Sequence, residues 1–340
     1  MTRIYLTIAI SISILFAYTD SEAKREHLIR GRTMGTIYHV KVVTGAYQGI
    51  SGLKEKIEKR LDEINQSMSA YIKASEISRF NDLRRVGEKF KISDDFFQVM
   101  KVAKEVYQLS DGAWDGTVNP LVDLWGFGRG GRKNEVPPKN QITALLPAIG
   151  FHQIEVIAPG YLIKKQAAVT LDLSSIAKGY GVDQVAGIIQ QAGFENYLVE
   201  LGGEVFARGR RKDGQQWRVG INRPRKDAAA NDVYKVVRLQ DHAFATSGDY
   251  RNFFEVNGIR YSHVIDPKTG YPVSNGVVSV SIIADTCTFA DGLSTAIMVL
   301  GHERGLSLIN RLNHVEGLIV VEGPGGNLID YPSDGFYVDR

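Results

Sequence analysis

Apolar positions recur at helical spacing in the first part of this chain and alternate in the second. The segment 36–43 (TIYHVKVV) alternates and predicts a strand. Leu53, Ile57, Leu61, Ile64 and Met68 step by three and four residues, the stripe of an amphipathic helix over 53–68. Segment 69–81 loses that period and predicts a loop with a short helix, with Tyr71 as an aromatic in a polar turn. A second amphipathic helix spans 96–109 and stops at Asp111-Gly112. Segment 113–132 mixes two Trp, a Phe and several late Gly without any period. Its aromatics argue for a binding loop rather than disorder. Segment 133–139 reads as an exposed tip and 140–149 as a short helix.

Alternation dominates from residue 154. Strands are predicted at 154–157, 168–173, 197–201, 205–210, 217–221, 233–239, 243–246, 250–256, 260–265 and 277–284. Turn pairs such as Asn257-Gly258 join several of them as hairpins. Helices at 286–300 and 303–312 precede a closing hairpin, 317–321 with 327–331. The pattern predicts an α+β fold: a large, mostly antiparallel or mixed β-sheet core with flanking helices. No repeat or composition shift divides 24–340, so one domain is expected there.

The stretch 168–193 predicts a strand, a tight turn and a helix. Ser174 or Ser175 offers a cap, and Gly193 a stop. Lys178, Gly179 and Gly181 stand near the helix start. Free N–H groups beside one Lys suit a phosphate; glycines there equally suit close packing of a crossover. Both readings stay open on these residues alone.

Charge and cysteine content narrow the class. With 41 Lys and Arg against 38 Asp and Glu, and no basic block, nothing suggests a nucleic-acid groove. Thr2 and Arg3 precede an apolar run, 4–18, shorter than the ~20 residues of a membrane span. Ser21-Glu22-Ala23 is a small-x-small site, so 1–23 is expected to be a signal peptide. The mature chain is expected in a periplasm; an uncleaved signal would hold it at the inner membrane. Cys287 is the sole cysteine, which excludes an intrachain disulfide. No cysteine ends the apolar run, so a lipoprotein is not expected.

The usual phosphate loop, dinucleotide fingerprint, nucleophile elbow and HExxH motif are all absent. Asp291 and Thr295 lie one turn apart in an otherwise apolar helical run. Either Thr295 bonds back to the Asp291 carbonyl while Asp291 caps a neighbour, or the pair holds a hard cation such as Mg²⁺. His263 reads as a structural strand residue or a general base. Glu200 to Glu204 forms a double-glycine turn that allows close backbone approach or a bulge.

Eight motifs then stand in order: MGTIYHV, MSAYIKASEISRFN, GAWDGTVNPL, DLSSIAKGYGVD, LGGEVFARG, TSGDY, HVIDPKTGYP and ADGLSTA. Together they closely resemble the FAD:protein FMN transferase (ApbE) family over nearly all of 24–340. The resemblance implies an enzyme that takes FAD as substrate with Mg²⁺ and moves FMN onto a Thr or Ser hydroxyl of a partner flavoprotein, releasing AMP. It implies FAD contacts at Met34, Tyr71, Ala113, Trp114, Asp115, Asp172, Lys178 and Val264. It implies metal contacts at Ser175, Asp291 and Thr295, with Ser294 as a neighbour. Trp114 stands where the family usually has Phe, and Lys178 where some members carry Glu. Tyr71 and Trp114 suit stacking on a flavin or adenine ring. His263 is the expected general base. The alternatives are an FAD carrier without transferase activity and a hydrolase giving FMN and AMP.

Overall fold

The computed structural model describes residues 24–337 apart from 129, 132, 230 and 231. The expected signal peptide lies outside the described residues. Among those described, no helix is long and apolar enough to cross a membrane.

The chain opens on a hairpin, β1 (Arg25–Thr33) and β2 (Thr36–Thr44). Helices α1 (Leu53–Met68), α2 (Glu76–Asp82) and, after strand β3 (Lys89–Lys91), α3 (Asp94–Leu109) follow. Ser75 and Ser93 cap α2 and α3 by accepting from Ser78 N and Phe96 N at 3.2 and 3.3 Å. The aperiodic stretch holds one helix, α4 (Asn119–Leu124), with Pro120 in its first turn, where a missing N–H costs nothing. Next come α5 (Lys139–Leu145), β4 (Ile154–Ile157), β5 (Tyr161–Lys164) and α6 (Ala177–Gln191). Strands β6 (Tyr197–Leu201) to β13 (Val277–Ala284) run through β7 (Glu204–Arg208), β8 (Trp217–Asn222), β9 (Val233–Leu239), β10 (His242–Gly248), β11 (Phe253–Val256) and β12 (Ile259–Ser262). The chain ends with α7 (Cys287–Leu300), α8 (His302–Ile309), β14 (Glu316–Glu322) and β15 (Leu328–Pro332).

Among the described residues the strands, including the unpredicted β1, β3 and β5, form one large sheet and three small ones. The large sheet has eight strands in the order β1-β2-β6-β7-β10-β13-β14-β15, and every pair is antiparallel. Helices α6 and α7 lie against one face, packed on each other and on β6, β10 and β13. Val185, Ile189, Leu293 and Ile297 fill that interface. The β8–β9 ribbon covers the other face through Trp217, Ile221, Val237 and Leu239. With both faces covered, β13 is buried along almost its whole length, and only the small Ser279 and Ser281 interrupt its apolar residues.

Segment 168–173 is not a strand. It joins no ladder, and its backbone partners come from a side chain and a loop. Asn81 accepts from Leu171 N at 2.7 Å and donates to Leu171 O at 2.8 Å, as a neighbouring strand would. Asp172 N donates to Gly116 O at 2.7 Å. This pairing leaves Asp172 and the turn 174–176 at the mouth of a cleft rather than inside a ladder.

Candidate functional site

Two adjoining cavities, of about 490 and 610 Å³, open where α6 begins, and they share Asp172, Ser174 and Lys178. Ala113, Trp114, Asp115, Ser175, His263, Val264, Asp291 and Thr295 line the first. Met34 and Tyr71 line the second. The structure thus places every residue expected to contact FAD or the metal, together with His263, on one composite cleft, while Ser294 lies buried behind it.

Helices α6 and α7 cap each other across this cleft. Gly179, in the first turn of α6, donates its N–H to Asp291 Oδ2 at 3.0 Å. In return Asp183 of α6 accepts from Cys287 N and Thr288 N, each at 2.8 Å, and from Thr288 Oγ1 at 2.5 Å. Each helix start therefore receives its carboxylate from its neighbour. Burial pushes the Asp183 pKa up, and its three donors pull the other way.

The expected serine cap on α6 is absent. Ile176 holds the N-cap position, and Ala177 N bonds to Leu173 O at 2.8 Å. Ser175 is engaged elsewhere: its Oγ accepts from Trp114 Nε1 at 3.0 Å. The glycines serve close packing. A methyl group on Gly179 would collide with the Cys287 carbonyl, and one on Gly181 would stand 3.3 Å from Met34 Cε.

Lys178 reaches across the cleft to two carboxylates. Its Nζ lies 2.6 Å from Glu204 Oε1 and 3.7 Å from Asp291 Oδ1. Burial opposes the ammonium charge, but Asp291 and Glu204 outweigh it and raise the Lys178 pKa. Beyond Asp291, Ser247 Oγ lies 2.8 Å from Ser294 Oγ and 3.0 Å from Thr295 Oγ1. The intrahelical bond expected of Thr295 belongs to Ser294, which donates to Asp291 O at 2.8 Å.

His263 stands just past β12, with Nδ1 3.2 Å from Asn252 O. A carbonyl only accepts, so Nδ1 carries the proton and Nε2 keeps its lone pair. Burial lowers the His263 pKa, which favours the neutral ring.

Two expected contacts take a different form. Trp114 is 1% exposed and packs on Phe151 at 6.0 Å between ring centroids, so it presents no open stacking face. Tyr71, at 81% exposed, is the open aromatic of the cleft. The Asp115 carboxylate is spent within the protein: it accepts from Thr117 N at 2.8 Å, Thr117 Oγ1 at 2.6 Å and Phe151 N at 2.9 Å. Only the backbone of this loop is free to meet a ligand through Asp115. Met34 sits at the β1–β2 turn with φ 48°, beside Gly35 at φ 73°. A turn that favours Asn or Gly here carries a methionine that extends into the cleft.

A family model described as the ApbE family matches residues 34–319. The chain belongs to the ApbE family. It is 41% identical over 332 residues to the FAD:protein FMN transferase of Vibrio cholerae, covering 97% of each chain. The solved flavin transferase ApbE from Vibrio cholerae superposes with a TM-score of 0.84 at 40% identity, covering 92% of this chain and 98% of that one. The apo flavinyl transferase ApbE of Pseudomonas stutzeri gives 0.82 at 36% identity, covering 92% and 95%. In this ApbE chain, Glu204 and Ser247 line the cleft and Asp183 caps the helix that carries Asp291, side-chain roles that sequence reasoning did not assign. Each lay inside a motif already singled out, LGGEVFARG, DLSSIAKGYGVD or TSGDY. Only the fold shows what they face.

Proposed function

We infer that this chain transfers FMN from FAD to a Thr or Ser hydroxyl of a partner flavoprotein and releases AMP. The observation that carries this reading is the meeting of the α6 start with the second turn of α7. It gathers Lys178, Asp291 and Thr295 on the wall of a cleft large enough for a dinucleotide. In the reaction a bond forms between the acceptor Oγ and the FMN phosphorus. The bridging P–O bond to AMP breaks, and the hydroxyl proton is lost. The nucleophile comes from the partner, so no Ser or Cys triad is needed.

The residues present fit Mg²⁺. Among the described residues no group of three or more His, Cys, Asp or Glu gathers as a metal cluster. One carboxylate with hydroxyl and carbonyl oxygens is the set Mg²⁺ accepts when phosphates complete its shell. Asp291, Thr295 and the Ser175 carbonyl would hold it. When bound, the ion neutralises charge on the pyrophosphate. Lys178 adds a positive charge at the junction of the two cavities and orients the phosphates. His263 Nε2 takes the acceptor proton. Tyr71 stacks on a ring of FAD, while Met34, Asp172, Val264 and the Ala113–Asp115 backbone shape its binding walls. We also propose that 1–23 directs export to the periplasm; protein recovered there would then begin at Lys24.

Asp291→Ala tests the reading. Wild-type protein incubated with FAD, Mg²⁺ and an acceptor flavoprotein should raise the acceptor mass by one FMN, and Asp291→Ala should abolish this. Full transfer by the variant contradicts the metal assignment. Free FMN and AMP with unmodified acceptor would point to a hydrolase, and intact FAD to a carrier.

A further inference from the structure

The proposed chemistry uses Lys178, Asp291, Thr295 and His263 and leaves Glu204 without a task. Glu204 opens β7 directly after the hairpin turn of Gly202 and Gly203, and it lines the cavity. It is 3% exposed. Oε1 pairs with Lys178, while Oε2 is buried with no hydrogen-bond partner. An unsatisfied buried carboxylate oxygen destabilises the fold. An apolar residue at the same place would avoid that cost.

Lys178 divides its ammonium unequally, 2.6 Å from Glu204 and 3.7 Å from Asp291. Asp291 Oδ2 is taken by Gly179 N, so Oδ1 is the oxygen left for a cation. A lysine ammonium and a divalent ion are rivals for that oxygen. We propose that Glu204 is a positioning residue that draws the Lys178 ammonium away from Asp291 and keeps Oδ1 open to the divalent cation. This rests on the assignment of Asp291 and Thr295 to Mg²⁺. Without the Glu204 charge, Lys178 has a single carboxylate partner left. Its flexible stem lets it close from 3.7 Å to a direct charge-assisted bond of about 2.8 Å. The metal must then displace it.

The test counts bound Mn²⁺, standing in for Mg²⁺, from the EPR signal of the free ion in solutions of full-length protein, with FAD held at a concentration that saturates each variant so that a change in FAD affinity does not enter the count. Glu204→Gln keeps the shape and removes the charge. It should weaken Mn²⁺ binding about tenfold, or about 1.4 kcal/mol. Adding Lys178→Met to that variant should recover most of the loss, because the competitor is gone. Lys178→Met alone should tighten Mn²⁺ binding, and this arm needs no folded Glu204 variant. Unchanged affinity in Glu204→Gln overturns the proposal. So does a loss that Lys178→Met does not reverse, since Glu204 would then act on the metal directly. Weaker binding by Lys178→Met alone also overturns it. Wild-type protein that binds no Mn²⁺, or Asp291→Ala that binds it normally, overturns the metal assignment itself. An unaffected Glu204→Gln beside a non-binding Asp291→Ala overturns the positioning role only.

Discussion

Gly179→Ala adds one methyl group at the contact that builds the cleft. That carbon would stand 2.6 Å from the Cys287 carbonyl carbon and 2.9 Å from Asp291 Cβ, with the Cys287 oxygen nearer still. Carbon contacts settle at about 3.5–4.0 Å, so α6 and α7 must part by roughly 1 Å. Overpacking of this kind costs about 1–3 kcal/mol, and the better helix propensity of Ala returns about 1 kcal/mol. Parting the helices also stretches the 3.0 Å bond from Gly179 N to Asp291 Oδ2. Leaving that buried carboxylate short of a donor costs a further ~1–3 kcal/mol. The expected net loss is roughly 1–5 kcal/mol by these terms. The effect on rate should be larger, because a 1 Å misplacement of positioned groups costs on the order of 10²-fold. Urea unfolding followed by tryptophan fluorescence reads the first quantity. FMN transfer at saturating FAD and Mg²⁺, at a temperature where the variant is folded, reads the second. An Ala variant with wild-type stability and wild-type rate would refute the idea that the helix contact at Gly179 sets the site.

Two further outcomes follow from buried carboxylates. Asp183→Ala strips the α7 start of all three of its Asp183 hydrogen bonds. It should lower unfolding free energy by roughly 3–5 kcal/mol, with Asp183→Asn costing less because one acceptor oxygen remains; urea midpoints check both. Burial raises the Asp249 pKa from 3.8 to about 6, with Arg260 pulling partly against it. The folded state therefore keeps this proton to higher pH than the unfolded chain does. Stability should fall as pH rises from about 4 to about 6, by roughly 2–3 kcal/mol, and stay flat above that. Asp249→Asn should remove that slope in urea titrations across this range; an unchanged slope would contradict the assignment.

Much of this arrangement was legible before any coordinates. The stripe of Leu53, Ile57, Leu61, Ile64 and Met68 is buried as its spacing predicts, because one face of α1 has a core to meet. The alternating strands from residue 197 pair as hairpins because their turns carry Asn257-Gly258 and Gly202-Gly203. Segment 168–173 misled because an apolar, β-branched run looks the same whether a strand or the Asn81 side chain pairs with it. Strand β1 escaped notice because it is an edge strand: only Ile29 of its nine residues is buried, so alternation is faint. Trp114 suggested a stacking surface because composition cannot say which aromatic is covered, and Phe151 covers it. Asp115 suggested a ligand contact for a similar reason, since its donor Phe151 N lies 36 residues away. Lys178 and Glu204 meet because β6 and β7 return the chain to the start of α6. That juxtaposition belongs to topology and leaves no local signature.

The central claim is that one bond exchange joins FMN to a partner and frees AMP. Counting both products in the same reaction tests it most directly. Released AMP, measured by chromatography, should equal the flavin that stays on the acceptor after denaturation, mole for mole, throughout the time course. AMP appearing with an equal amount of free FMN and none on the acceptor would contradict it.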